Sequence, residues 1–348
     1  MAGTELGLPT SRGVEHLSVT VADLDEVTRF FTHVFGCQTL YTMGPFQGSR
    51  TAFMREVANA DVRTVVHRLR VLRSPFLNIE LFEVTAPRQR RWWPDLLDIG
   101  GWGLTGVVDD LEAAIAYLEG EDVFVLDRGK DATHCMSPWG FHFSLTPPPD
   151  DGELWDPAHP DRGARPTFTP AAGALPTFRG FERLRVTVAD LDQASAIVED
   201  ALGFEPRSER TPGIDTGAGV GARTNVDARA APSRARIFRS PYLNLEVVEC
   251  PPYPGQDRLW PAMFDIGGWH LTFYVDDIDA ASSALTERDV LLLGGKKPAY
   301  LYEAGDEAYT LHGLAPFGLY FELVTYPHGR YQQADHAGRA WHPAHPGD

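Results

Sequence analysis

The chain has 348 residues, 43% of them hydrophobic, which is room for two domains with large cores and too apolar for a disordered chain. Thirty-one basic residues against 48 acidic ones give a net charge of −17 with no basic run, which disfavours nucleic acid or an anionic membrane as partner. Three scattered cysteines (Cys37, Cys135 and Cys250), no basic-then-apolar leader and no run of transmembrane length lead to the expectation of a soluble, cytoplasmic protein without a disulfide framework.

Residues 1–13 read as a mobile arm. The first strand follows in Val14-Glu-His16-Leu-Ser-Val-Thr-Val, where His16, Ser18 and Thr20 share one face and Leu17, Val19 and Val21 the other. Asp23 is placed to cap a helix through Phe35, with Gly36 just past its end. Strands are predicted around Arg63–Leu72 and Leu77–Val84.

A second unit opens at Asp98-Ile-Gly-Gly-Trp102, continues through a helix over Leu111–Gly120 and ends in the strand Gly140-Phe-His142-Phe-Ser144-Leu145. His142 is expected to face away from the polar side of that strand. Residues 148–179, rich in Pro, Gly and Asp, read as a linker.

The third unit, from Phe181-Glu-Arg183-Leu-Arg-Val-Thr-Val-Ala-Asp190, repeats the first at a shift of 167 residues (190 minus 23). Arg239-Ser-Pro-Tyr-Leu-Asn-Leu-Glu246 likewise repeats Arg73-Ser-Pro-Phe-Leu-Asn-Ile-Glu80. The fourth unit, Asp265-Ile-Gly-Gly-Trp-His270-Leu-Thr272-Phe-Tyr274-Val-Asp-Asp277, repeats the second at the same shift. Its polar face carries His270, Thr272 and Tyr274, and it ends in Phe317-Gly-Leu-Tyr320-Phe-Glu322. Trp155-Asp-Pro-Ala-His-Pro and Trp341-His-Pro-Ala-His-Pro echo each other, and each tryptophan is expected to pack on its own half.

Self-similarity of this kind outranks the other signals. It predicts an α+β fold of four β-α-β-β-β modules pairing into two curved, cup-shaped mixed sheets. The modules are 14–85 and 98–147 in a first domain (14–147), then 180–250 and 265–327 in a second (180–327), with a tail over 328–348.

A β-α-β-β-β unit that begins His-x4-Val-x-Asp and ends in a Glu flanked by apolar residues resembles the vicinal oxygen chelate superfamily. The residues that carry the resemblance are His16…Val21-Ala-Asp23, His270…Val275-Asp-Asp277, Leu77-Asn-Ile-Glu80 and Leu319-Tyr-Phe-Glu322. The superfamily includes glyoxalase I, extradiol dioxygenases, epimerases and antibiotic-binding resistance proteins. The resemblance implies a divalent metal in a cup, held by the first and last strands of paired modules.

At those positions the modules offer His16 and Glu80; Gly103 and Ser144; Arg183 and Glu246; and His270 and Glu322. Pairing the first module with the fourth gives one complete set (His16, Glu80, His270, Glu322) and one cup without a metal set. Two imidazoles and two carboxylates suit one divalent ion, Zn²⁺ foremost, with Ni²⁺, Mn²⁺, Co²⁺ or Fe²⁺ as alternatives. The sequence allows the cup to close within one chain or across a homodimer.

The implied chemistry is proton transfer next to a carbonyl. Glu80 or Glu322 would serve as the base, its pKa lifted toward neutrality by desolvation. Ser18, Thr272, Tyr274 and Tyr320 would contact a small polyhydroxylated ketone. The layout is most similar to glyoxalase-like proteins that include the 2-epi-5-epi-valiolone epimerases. Two alternatives stand beside this: an extradiol ring-cleaving dioxygenase, and a metal-free antibiotic-binding protein, which the eight tryptophans permit. His67 and His312 carry no spacing that argues for a role.

Overall fold

Among the described residues the period-two segments become sixteen strands and the capped apolar-periodic segments become four helices. The computed structural model describes residues 7–46, 60–129, 131–148, 173–210, 234–288, 290–299, 308–326 and 341–343, with 52, 55–56, 154 and 170. In chain order the first module is β1 (Ser11–Val21), α1 (Leu24–His33), β2 (Gln38–Met43), β3 (Val65–Arg73) and β4 (Asn78–Thr85). The second is β5 (Trp102–Val108), α2 (Leu111–Glu119), β6 (Phe124–Arg128), β7 (Thr133–Met136) and β8 (His142–Thr146). The third is β9 (Phe178–Val188), α3 (Leu191–Asp200), β10 (Glu205–Arg210), β11 (Arg234–Arg239) and β12 (Asn244–Glu249). The fourth is β13 (Trp269–Val275), α4 (Ile278–Thr286), β14 (Leu291–Pro298), β15 (Tyr309–Leu314) and β16 (Tyr320–Thr325).

The strands form two eight-stranded mixed sheets. One has the order β14-β15-β16-β13-β1-β4-β3-β2, and so joins the fourth module to the first. The other, β10-β11-β12-β9-β5-β8-β7-β6, joins the third to the second. Each seam is an antiparallel pair of first strands, β1 with β13 and β5 with β9, and each last strand lies parallel to its module's first. The cup of the first sheet therefore closes within a single chain.

Each helix starts on an aspartate whose carboxylate accepts the orphan N–H groups of the first turn. Asp23 takes those of Asp25 and Glu26 (both 2.9 Å), and Asp277 takes those of Asp279 (3.0 Å) and Ala280 (2.9 Å). Such a cap contributes about 1 kcal/mol.

The apolar strand faces (Leu17, Val19 and Val21; Leu271, Phe273 and Val275; Leu184, Val186 and Val188) join one core shared by both sheets. Phe31 of α1 and Phe35 just past its end, both buried, reach across to the second sheet. Phe31 packs on Phe141 (centroids 5.6 Å apart) and Phe35 on Phe181 (4.9 Å). Each buried phenyl contributes about 1.5–3 kcal/mol.

The two Ile-Gly-Gly turns lock the halves reciprocally. Gly100 and Gly267 have φ of +79° and +76°, in the left-handed region that favours glycine. A Cβ on Gly100 would stand 2.5 Å from Pro261 and one on Gly267 2.4 Å from Pro94, so neither turn admits a side chain. The Trp102 indole donates to the Gly267 carbonyl (2.9 Å) and that of Trp269 to the Gly100 carbonyl (3.2 Å).

Three expectations change at the termini and connections. From Gly7 onward the arm is docked: Gly7 donates to the Asp200 carbonyl (3.1 Å), Leu8 is buried, and β1 already begins at Ser11. The expected linker lies largely outside the described residues; in its described part Leu175 is buried and donates to the Val34 carbonyl (2.8 Å). Of the tail only 341–343 are described, and Trp155 lies outside the described residues. Trp341 is not confined to its own half. Its ring meets both Phe76 (5.4 Å) and Tyr242 (4.8 Å), and its backbone pairs with the Asn78 amide. No helix among the described residues is long and apolar enough to cross a membrane.

Candidate metal centre

In the first sheet the polar faces of β1, β4, β13 and β16 come together, and both faces of these strands are buried, so the polar side is a cup lining. The cross-strand register builds two rows. His312, Glu322, Thr272, His16 and Asn78 lie side by side along one, and His270, Ser18 and Glu80 along the next.

His16, His270 and Glu322, all buried, each offer one donor atom, and the three atoms lie within 4.8 Å of one another. The Glu322 Oε2 stands 3.5 Å from His16 Nε2 and 3.6 Å from His270 Nε2. The fourth expected ligand, Glu80, belongs to the same wall, its Oε2 being 3.4 Å from His16 Nε2. The Ser18 hydroxyl donates to that oxygen (3.4 Å). Thr272 bridges two members of the triad, donating to Glu322 Oε2 (3.1 Å) and meeting His16 Nε2 (2.8 Å). Tyr320 is buried with its ring 5.7 Å from that of His270. Tyr274 packs against Tyr326 (5.3 Å) and His342 (4.6 Å).

A β-bulge orients the first ligand. The β1–β13 register slips between Val14 and His16, which turns Glu15 out of the alternation and under the imidazole. His16 Nδ1 donates to Glu15 Oε2. Asn78 Nδ2 donates to Glu15 Oε1 (2.8 Å) and to the Trp341 carbonyl (2.7 Å), so the carboxylate is itself held in place. Glu15 was not apparent as a site residue from the sequence. A carboxylate behind a ligating imidazole fixes the tautomer and leaves Nε2 facing the centre.

Burial opposes charge on His16, but Glu80 and Glu15 outweigh it and push the imidazole up to about 9. Both ring nitrogens then have acceptors, Glu15 for Nδ1 and Thr272 for Nε2. An acidic wall that holds a proton on a fully buried imidazole suits a divalent cation at the same atom, because metal and proton compete for Nε2. The donor set, the burial and the braced imidazole all fit a divalent metal.

Glu322 departs from the expectation that burial lifts a site carboxyl toward neutrality. Burial pushes upward, but the charge of His312 and hydrogen bonds from His16 and His270 hold Glu322 well below the usual carboxylate range. His312, given no role on sequence grounds, stands opposite Glu322 with Nε2 3.5 Å from its Oε1, and burial holds the imidazole down to about 4. Thr310 also donates to that oxygen. His142 is corrected too. Phe141, Phe143 and Leu145 enter the core, so His142 and Ser144 share the opposite face, which lines the second cup.

No family model matches the chain. Over 154 residues the chain is 34% identical to a 2-epi-5-epi-valiolone epimerase from an Actinomyces species, a match taking in 41% of this chain and 82% of that protein. Among solved structures, glyoxalase I from Zea mays superposes with a TM-score of 0.54 at 13% identity, over 90% of this chain and 92% of that one. A Bacillus subtilis protein assigned as a dioxygenase gives a TM-score of 0.54 at 15% identity, over 92% and 86% of the two chains. The structural likenesses bear on the fold and the epimerase on kinship. Four β-α-β-β-β modules in two cupped sheets, together with that relative, show that the chain belongs to the vicinal oxygen chelate superfamily.

Proposed function

We propose that this vicinal oxygen chelate enzyme is a metal-dependent epimerase acting on a small polyhydroxylated ketone, with 2-epi-5-epi-valiolone as the candidate substrate. The reading rests on one arrangement, a buried two-histidine, one-carboxylate triad with a further carboxylate, Glu80, at its edge. His16, His270 and Glu322 would hold the metal, zinc foremost. When bound, such an ion acts as a Lewis acid that stabilises negative charge developing on a carbonyl oxygen.

The chain's own residues would divide the remaining work. Glu322, held well below the usual range, is poorly suited to carry a proton and acts as a ligand. Glu80 takes the proton from the carbon beside the carbonyl, oriented by the Ser18 hydroxyl, and a water on the opposite face of the enolate returns one, which inverts the centre. Thr272 and Tyr320 offer hydroxyls on the same wall to the substrate. Tyr274, packed against Tyr326 and His342, shapes the cup floor.

A second reading has a specific observation behind it. Two histidines and one carboxylate are also the donor set of non-haem iron oxygenases. One experiment separates the two. Protein loaded with zinc or iron is incubated with 2-epi-5-epi-valiolone in D₂O, and carbon 2 is followed by NMR. Deuterium enters there under the epimerase reading, and Glu80→Gln loses the exchange while keeping its metal. Cleavage of a catechol with oxygen uptake, the ketone keeping its hydrogen, would establish the dioxygenase instead.

A further inference from the structure

The second cup copies the framework of the first with different chemistry. In the first sheet Thr272 lies between His16 and Glu322, and in the second Thr105 lies between Arg183 and Ser144. One step along, Gly103 lies between Arg185 and His142, where the first sheet has His270 beside Ser18. His134 faces Ser144 and meets its hydroxyl at 2.7 Å, in the place that His312 takes opposite Glu322. Even the bulge recurs. Glu182 lies under Arg183, accepts its Nη2 (2.7 Å), and is held by the Asn244 amide (3.2 Å).

The exchanges of charged residues at the matched strand positions run in one electrostatic direction. Glu15, Glu80 and Glu322 give the first cup a formal −3. At the matched strand positions two arginines against Glu182 and Glu246 bring the second to zero, with histidines counted as neutral in both; Asp95, 3.7 Å from His142, is a further carboxylate at the edge of this wall. Arg183 is 9% exposed, and its Nε has no hydrogen-bond partner among the described residues. Its Nη1 is 3.7 Å from Glu246, beyond hydrogen-bonding reach. Burial first, and then the charge of Arg185, keeps both His134 and His142 below the usual imidazole range, so two neutral rings share the wall with two guanidiniums. Burying guanidinium groups costs several kcal/mol each unless acceptors meet them. Arg185, His134 and Ser144 are only partly buried, so water reaches this wall.

We propose that the second cup is an anion site that takes a small oxyanion, a phosphate or carboxylate group, between Arg183, Arg185 and His134. Guanidinium N–H groups donate to two oxygens of such a group, and a neutral imidazole supplies a further donor.

The test is calorimetric titration of the metal-loaded protein with inorganic phosphate, and in a second arm with malonate, which tells a tetrahedral from a planar oxyanion. Saturable binding of one anion per chain is expected in at least one arm. Arg185→Ser, which installs the residue of the first cup, should weaken it about tenfold or more. Ser144→Glu, which restores that cup's carboxylate and keeps both arginines, should abolish it, and it decides the matter if Arg185→Ser fails to fold. Both variants should keep the metal of the first cup, which shows that they are folded. No saturable heat in either arm, or binding untouched by both substitutions, would overturn the proposal.

Discussion

Glu15→Gln perturbs the candidate metal centre without touching a ligand. Glu15 is fully buried, with one oxygen on His16 Nδ1 and the other accepting the Asn78 amide at 2.8 Å. Glutamine keeps the volume but has only one oxygen for these two donors, so its NH₂ must face either the imidazole N–H or the Asn78 NH₂. His16 thus loses a charge-assisted hydrogen bond, worth about 1.5–3 kcal/mol where a neutral one is worth about 1. Partners standing behind a metal-ligating histidine change affinity by about 10- to 100-fold, or roughly 1.4–2.7 kcal/mol. Zinc affinity measured by competition with a chromophoric chelator should fall within that range for Glu15→Gln. Glu182→Gln, the same change in the bulge of the second cup, should leave zinc affinity unaltered. An affinity for Glu15→Gln within about twofold of wild type, or an equal loss in Glu182→Gln, would refute the role of the bulge.

Asn78→Ala removes the amide that ties Glu15 to the Trp341 backbone, and should cost about 2–4 kcal/mol in denaturant unfolding while shifting tryptophan emission to the red. Trp102→Phe deletes an indole N–H bonded to the opposite turn and leaves the Gly267 carbonyl unsatisfied, so a loss of about 2–3 kcal/mol is expected; no loss would mean the reciprocal turns do not lock the halves. His142 is pushed down to about 4 by burial and then by Arg185 and His134, so its unfolded form takes a proton first. Its stabilising contribution is present above pH 6.5 and is lost as pH falls toward 4, the loss reaching about 3 kcal/mol there. His142→Asn should therefore flatten the acid limb of the stability profile. Asp95, lifted to about 6 by burial and then Asp98, acts in the opposite sense in both proteins and largely drops out of the difference.

The repeats made much of this molecule legible. Strand–helix–strand units at a shift of 167 residues fixed the modules, and the residues at their first and last strands singled out His16, His270, Glu80 and Glu322. What stayed hidden has local physical causes. Glu15 sits in a bulge, so it belongs to neither face of a strict alternation. His312 corresponds to His134 at a shift of 178 (312 minus 134), because the fourth module carries a longer connection, and the 167-residue repeat does not align the two. His142 was misread by parity, since residues 142 and 144 lie on one face of β8. The acidity of Glu322 depends on three histidines delivered by β1, β13 and β15, a meeting that only the closed sheet creates. Trp341 reaches Phe76 because first and fourth modules share a sheet, so a residue that follows the fourth module lies against the first.

Everything proposed for this enzyme depends on where a metal binds and how many bind. Crystals grown with zinc and measured on both sides of the zinc absorption edge locate the ion directly. One anomalous peak per chain is expected, among His16 Nε2, His270 Nε2 and the Glu322 carboxylate, with none in the cup of Arg183 and Arg185. Peaks in both cups, or a single peak away from His16 and His270, would contradict the account.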